Sequence, residues 1–85
     1  QRIVEERKKN PEEGSYTSFL FARGIDKIAK KAGEEAVELV IASKNDDNSK
    51  VVAEAADFLY HMMVLLAEKG VKLSEVCSEL YKRNK

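Results

Sequence analysis

Five acidic residues on two stretches of helical character carry the chemical signal in this sequence. Glu54 and Asp57 stand three apart, as do Glu35 and Glu38, with Glu34 beside the second pair. Residues three apart on a helix lie on neighbouring turns of one face. Carboxylates crowded in this way repel one another and resist losing water, so they require protons, cationic partners or metal ions. Facing each other across two helices, Glu35, Glu38, Glu54 and Asp57 would form a cluster of oxygen donors suited to a hard divalent ion such as magnesium or manganese. Zinc fits less well, because His61 and Cys77 are the lone histidine and lone cysteine and lie far apart. Di-iron helical bundles place a histidine three residues after a glutamate. Here Asp57 holds that position after Glu54. Each acid also has an ordinary reading as a solvated helix residue, with Lys31–Glu35 and Lys30–Glu34 as four-apart pairs. Two matched pairs, one on an otherwise apolar helix, weigh against it.

The elements that must position these groups follow from periodicity. Residues 1–9 suggest a short helix ending at Asn10, and Asn10-Pro11-Glu12-Glu13-Gly14 is a turn or loop. Ser15 to Arg23 is a loop or a short helix stopped by Gly24. Ile25 to Lys44 has helical spacing through Ile28, Ala29, Ala32, Ala36, Leu39 and Val40. Gly33 weakens this helix by roughly 1 kcal/mol relative to alanine, which suggests close packing there. Asn45 to Asn48 is a polar turn, Ser49 an N-cap, and Lys50 to Lys69 a long helix stopped by Gly70. Ser74 caps a last short helix through Arg83. With no strand alternation, no repeat and no low-complexity tract, the expected fold is all-α. It is a small helical bundle of two long antiparallel helices plus short terminal helices, one domain over residues 1–85.

The third helix is apolar nearly all round. Its polar residues Lys50, Glu54, Asp57, His61 and Glu68 share a stripe roughly 60° wide. Such a helix must be buried, and a chain of 85 residues with one other long helix can hardly cover it. A second copy, most simply in a homodimer, is expected to complete the core. Lysine plus arginine equals aspartate plus glutamate at 15 each, which gives no electrostatic case for nucleic acid or an acidic membrane. The most apolar run, Ala55 to Ala67, is too short and too polar to span a bilayer. A lone cysteine excludes an internal disulfide, and no secretion signal is legible, so a cytoplasmic protein is expected. The first residue is Gln1, so native N-terminal residues are expected to precede it.

Glu34-Glu35-x-x-Glu38 followed by Glu54-x-x-Asp57 resembles the signature of the MazG-type all-α nucleotide pyrophosphohydrolases. The stretches Gly14-Ser15-Tyr16-Thr17-Ser18, Lys27-Ile28-Ala29-Lys30-Lys31-Ala32-Gly33-Glu34-Glu35-Ala36 and Glu54-Ala55-Ala56-Asp57-Phe58-Leu59-Tyr60-His61 are more specifically similar to the phosphoribosyl-ATP pyrophosphatases of histidine biosynthesis. The resemblance runs from about Val4 to the end. It implies a magnesium-dependent, dimeric enzyme that hydrolyses phosphoribosyl-ATP between its α- and β-phosphates, giving phosphoribosyl-AMP and pyrophosphate. The N-terminus is shorter than is usual in that family.

On this reading Glu35, Glu38, Glu54 and Asp57 are metal ligands, and Glu34 is a candidate general base or a residue that supports the ligands from behind. Lys27, Lys30 and Lys31 are candidates for binding triphosphate oxygens, and their ordinary alternative is solvated helix surface. His61, one turn after Asp57, either orients that carboxylate, touches substrate, or is simply satisfied by a neighbouring carboxylate. Tyr16, Thr17, Ser18 and Arg23 are expected either in a mobile flap over the site or in ordinary loop and cap roles. Tyr60 belongs to core or interface with a partner for its hydroxyl, Met62 and Met63 to packing, and Cys77 to a small core position. Two competing functions remain: a house-cleaning nucleoside triphosphate pyrophosphohydrolase, and a non-catalytic helical dimerisation module.

Overall fold

A computed structural model describes Val4, Lys8 and residues 15–83 of the chain. Its described residues form four helices and no strand: α1 (Tyr16–Arg23), α2 (Ile25–Ala42), α3 (Asn48–Glu68) and α4 (Leu73–Arg83). Val4 and Lys8 are themselves helical, while the rest of the expected helix over 1–9 and the turn that follows lie outside the described residues.

The segment from Ser15 to Arg23 resolves into a helix because both of its ends are chemically marked. The Ser15 hydroxyl accepts from the Ser18 amide at the start. At the end, Gly24 turns the chain at φ 88° and ψ −175°, a positive-φ conformation open essentially to glycine alone. α2 then starts at once, with the Ile28 amide donating to the Gly24 carbonyl.

α2 and α3 form an antiparallel hairpin joined by residues 43–47. The helix start is corrected here: Asp47, not Ser49, is the N-cap of α3. Its carboxylate accepts from the Ser49 amide at 3.0 Å and the Ser49 hydroxyl at 2.6 Å. A full negative charge at the positive end of a 21-residue helix outcompetes a hydroxyl for that place. The same hydrogen bonds hold the Asp47 carboxyl below its ordinary range. α3 closes at Gly70, φ 72°, where the Gly70 and Val71 amides donate to the Ala67 and Leu66 carbonyls. The Lys8 ammonium also donates to the Ala67 carbonyl at 2.6 Å. The start of α4 differs as well: Ser74 lies inside the helix, and Glu75 reaches back to accept from the Lys72 amide at 2.8 Å. α4 buries none of its residues, and Cys77 on it is exposed rather than in the core.

Burial is lopsided. The core cluster of Val4, Leu20, Ile28, Val64 and Ala67 sits where α1 crosses the start of α2 and the end of α3. Phe21, Tyr60, Met63 and Leu65 pack around it. At the other end of the hairpin, Val37, Val40, Ile41, Val52 and Leu59 stand exposed. Gly33 faces the same open side. A Cβ built there meets no atom within 4 Å, so the close packing expected at this glycine is absent among the described residues. The expectation of one helix too apolar for its own chain to cover therefore has a concrete location.

Candidate functional site

Glu35 on α2 and Glu54 and Asp57 on α3 converge across the hairpin. One carboxylate oxygen from each lies within 4.8 Å of the other two. Glu35 and Glu54 are half-buried and Asp57 is exposed. The convergence is a product of register: Glu54 and Asp57 share one face of α3, and antiparallel packing sets Glu35 opposite them.

Electrostatics marks this as a site where negative charge outweighs the nearby cations at Glu54. Burial pushes the Glu54 carboxyl above its ordinary value, and the negative charges of Glu38, Asp57 and Glu35 add to the rise. Lys50 opposes the shift without cancelling it. A divalent cation fits this donor set, since hard oxygen ligands held close together lose their mutual repulsion when they share a positive charge.

Glu38 belongs to this field but not to the three-oxygen group. It is exposed and lines a neighbouring cleft of about 430 Å³ with Ile41, Ala42, Asn45, Lys50, Ala53 and Glu54. Glu34 is exposed and lies 3.6 Å from the Lys31 ammonium, which also approaches Glu35 at 3.8 Å. Lys31 thus bridges both acids, and takes the place that spacing alone gave to a Lys30–Glu34 pair. Lys30 is exposed and Lys27 half-buried on the same helix.

His61 differs from every other polar residue of the α3 stripe in being buried, at 7% exposure. It does not bond the Asp57 carboxylate. Its Nδ1 donates instead to the Asp57 main-chain carbonyl at 2.7 Å. Helical side chains lean toward the N-terminus, which sets a ring at position 61 beside the carbonyl of the preceding turn. Its Nε2 meets the Tyr16 hydroxyl at 3.0 Å. The adjoining Tyr60 hydroxyl bonds the buried Thr17 hydroxyl, which gives it the partner its sequence position demanded.

The segment expected as a flap is consequently a docked helix. Thr17 and Leu20 are buried, and the Arg23 guanidinium stacks 5.7 Å from the Phe19 ring centroid rather than meeting an acid. Tyr16 is the residue whose place the sequence concealed. Its hydroxyl feels Lys31, Tyr60, Glu35 and Glu34, and burial as the largest effect raises its pKa. No local pattern links positions 16 and 61; only the tyrosine-threonine-serine segment hinted that this stretch mattered.

Comparison with known proteins places the chain in a family. The profile of the family described as phosphoribosyl-ATP pyrophosphohydrolase matches residues 1–84. A phosphoribosyl-ATP pyrophosphatase of Streptococcus gordonii is 60% identical over 77 residues, covering 91% of this chain and 74% of its own. One from Bacillus mycoides is 54% identical over 81 residues, covering 95% and 76%. The histidine biosynthesis bifunctional protein HisIE of Caldanaerobacter subterraneus is 56% identical over 82 residues. The match covers 96% of this chain but 40% of that relative, so the chain spans about two fifths of the bifunctional protein. A profile match over residues 1–84, with relatives 54–60% identical across most of the chain, shows that this chain belongs to the phosphoribosyl-ATP pyrophosphohydrolase family.

Proposed function

We propose that the protein hydrolyses phosphoribosyl-ATP to phosphoribosyl-AMP and pyrophosphate, as one domain over residues 1–85. The observation that carries this reading is the convergence of Glu35, Glu54 and Asp57 within 4.8 Å on a family-matched hairpin. These three carboxylates, joined by Glu38 from the edge of the adjoining cleft, would hold magnesium, with manganese as a substitute. The bound ion would supply neutralisation of phosphate charge and polarisation of the scissile linkage.

The chain's own groups do the rest. Glu34, exposed beside Glu35 and tethered by Lys31, is the candidate to take a proton from the attacking water. Lys27, Lys30 and Lys31 lie along α2 toward its N-terminus and would meet the triphosphate oxygens with charge-assisted hydrogen bonds. His61 acts through Tyr16 and the Asp57 backbone, since both of its ring nitrogens already have partners in the protein. Two copies would associate through the face bearing Val37, Val40, Ile41, Val52 and Leu59, whose exposure is the support for a homodimer. No described helix is long and apolar enough to cross a membrane, and action on a nucleotide intermediate suits the cytoplasm.

Pyrophosphate release from phosphoribosyl-ATP with magnesium tests the reading, set beside a panel of nucleoside triphosphates. Selective turnover of phosphoribosyl-ATP is expected. Glu38→Gln and Asp57→Asn should keep the helical spectrum and lose turnover. Near-normal turnover in both variants refutes the ligand assignment. Faster hydrolysis of free triphosphates would transfer the protein to a house-cleaning activity.

A further inference from the structure

The buried imidazole of His61 has both of its nitrogens committed. The Asp57 carbonyl can only accept, so Nδ1 carries a hydrogen. In the neutral ring Nε2 is then an acceptor, and the Tyr16 hydroxyl is the donor across 3.0 Å. Aromatic packing fixes both rings. His61 stands edge-on to Tyr16 at 5.7 Å and 74°, and to Tyr60 at 4.9 Å and 85°. With Tyr60 bonded to Thr17, two successive residues of α1 grip two successive residues of α3.

This arrangement decides what Tyr16 can offer a ligand. Tyr16 is 45% exposed as a residue, and its partly shielded oxygen lies in the combined field of Lys31, Glu35 and Glu34. Its one hydrogen is spent on His61, so only lone pairs face outward. A phosphate oxygen, which can only accept, finds nothing to bond there. A sugar hydroxyl, which can donate, does.

We propose that Tyr16 is a specificity residue that accepts a hydrogen bond from a ribose hydroxyl of the bound nucleotide, and that His61 is the positioning residue that holds it in the acceptor state. The inference rests on the nucleotide-binding reading of the acidic site.

The test is calorimetric binding of α,β-methylene-ATP with magnesium, and of its 2′-deoxy and 3′-deoxy counterparts, to the full chain. Tyr16→Phe should weaken the parent analogue about three- to tenfold, the equivalent of one lost hydrogen bond. One of the two deoxy analogues should bind the natural protein more weakly by a similar factor, yet bind Tyr16→Phe as well as the parent does. His61→Ala, checked by circular dichroism for folding, should lose the same discrimination. In the natural protein, ¹⁵N shifts of His61 should report the Nδ1–H tautomer, a readout that needs no variant. Both deoxy analogues matching the parent on the natural protein, an unchanged discrimination in Tyr16→Phe, or an Nε2–H tautomer would overturn the proposal. Failure of the natural protein to bind the parent analogue would also overturn the proposal, and only failure to turn over phosphoribosyl-ATP as well would overturn the underlying nucleotide site.

Discussion

The bond between the Thr17 and Tyr60 hydroxyls offers a sharp test of how α1 is fastened to α3. Thr17 is 9% exposed, so removal of its partner leaves a hydroxyl shielded from water. Tyr60→Phe keeps the ring and deletes only the oxygen. An unsatisfied buried polar group costs about 1–3 kcal/mol, more than the bond itself contributes. In a domain of this size each kcal/mol lowers the melting temperature by about 4–8 °C, so a fall of about 5–20 °C is expected. Thr17→Val alone should cost a similar amount, because it strands the phenol. The double variant Thr17→Val/Tyr60→Phe removes donor and acceptor together. It should recover much of the loss, with a coupling energy of about 0.5–3 kcal/mol. Thermal and urea melts followed by circular dichroism supply all four corners of the cycle. Strictly additive losses would mean that the two hydroxyls are satisfied elsewhere and that the clamp is not an energetic unit.

Other consequences are equally direct. Because the Glu54 carboxyl is raised above its ordinary 4.5, its protonated form is favoured in the fold. Its contribution to stability is present below that value and lost as pH rises through the raised one. The metal-free protein should therefore melt lower as pH climbs through this window, and Glu54→Gln should flatten the trend in a series of calorimetric scans. Magnesium must displace the same proton, so its affinity measured by titration calorimetry should rise across that window. Gly70→Ala forces a side chain into the left-handed region at φ 72° and should cost about 1–2 kcal/mol by chemical denaturation. Leu59→Glu, on an exposed apolar position, should leave a monomer by light scattering if the open face of the hairpin is where copies meet.

The two long helices were legible because their signals are local. The three-and-four spacing through Ile28, Ala32 and Leu39 needs no knowledge of the rest of the chain, nor does the stop at Gly70. The meeting of acidic side chains was legible one step further, since two acidic pairs on an antiparallel hairpin can meet in few ways. What remained hidden is non-local or competitive. Three of the four expected ligands share a 4.8 Å cluster while Glu38 borders the neighbouring cleft, because helix rotation of a few tens of degrees decides which face is inward. Asp47 captured the cap expected of Ser49 through charge, a competition between neighbours that spacing does not weigh. The Tyr16–His61 contact spans 45 positions and depends on how α1 docks, which no periodicity encodes.

The uneven distribution of buried groups along α3 has a thermodynamic consequence. His61, Val64 and Ala67 anchor its final turns, whereas Val52 and Leu59 earlier in the helix are exposed. Amide hydrogens in the first turns should exchange with deuterium fastest at micromolar dilution and slow as protein is added, while those of the last turns stay protected throughout. A melting temperature that climbs with protein concentration would follow by mass action, and the acidic half of the hairpin would then gain its rigidity only in company.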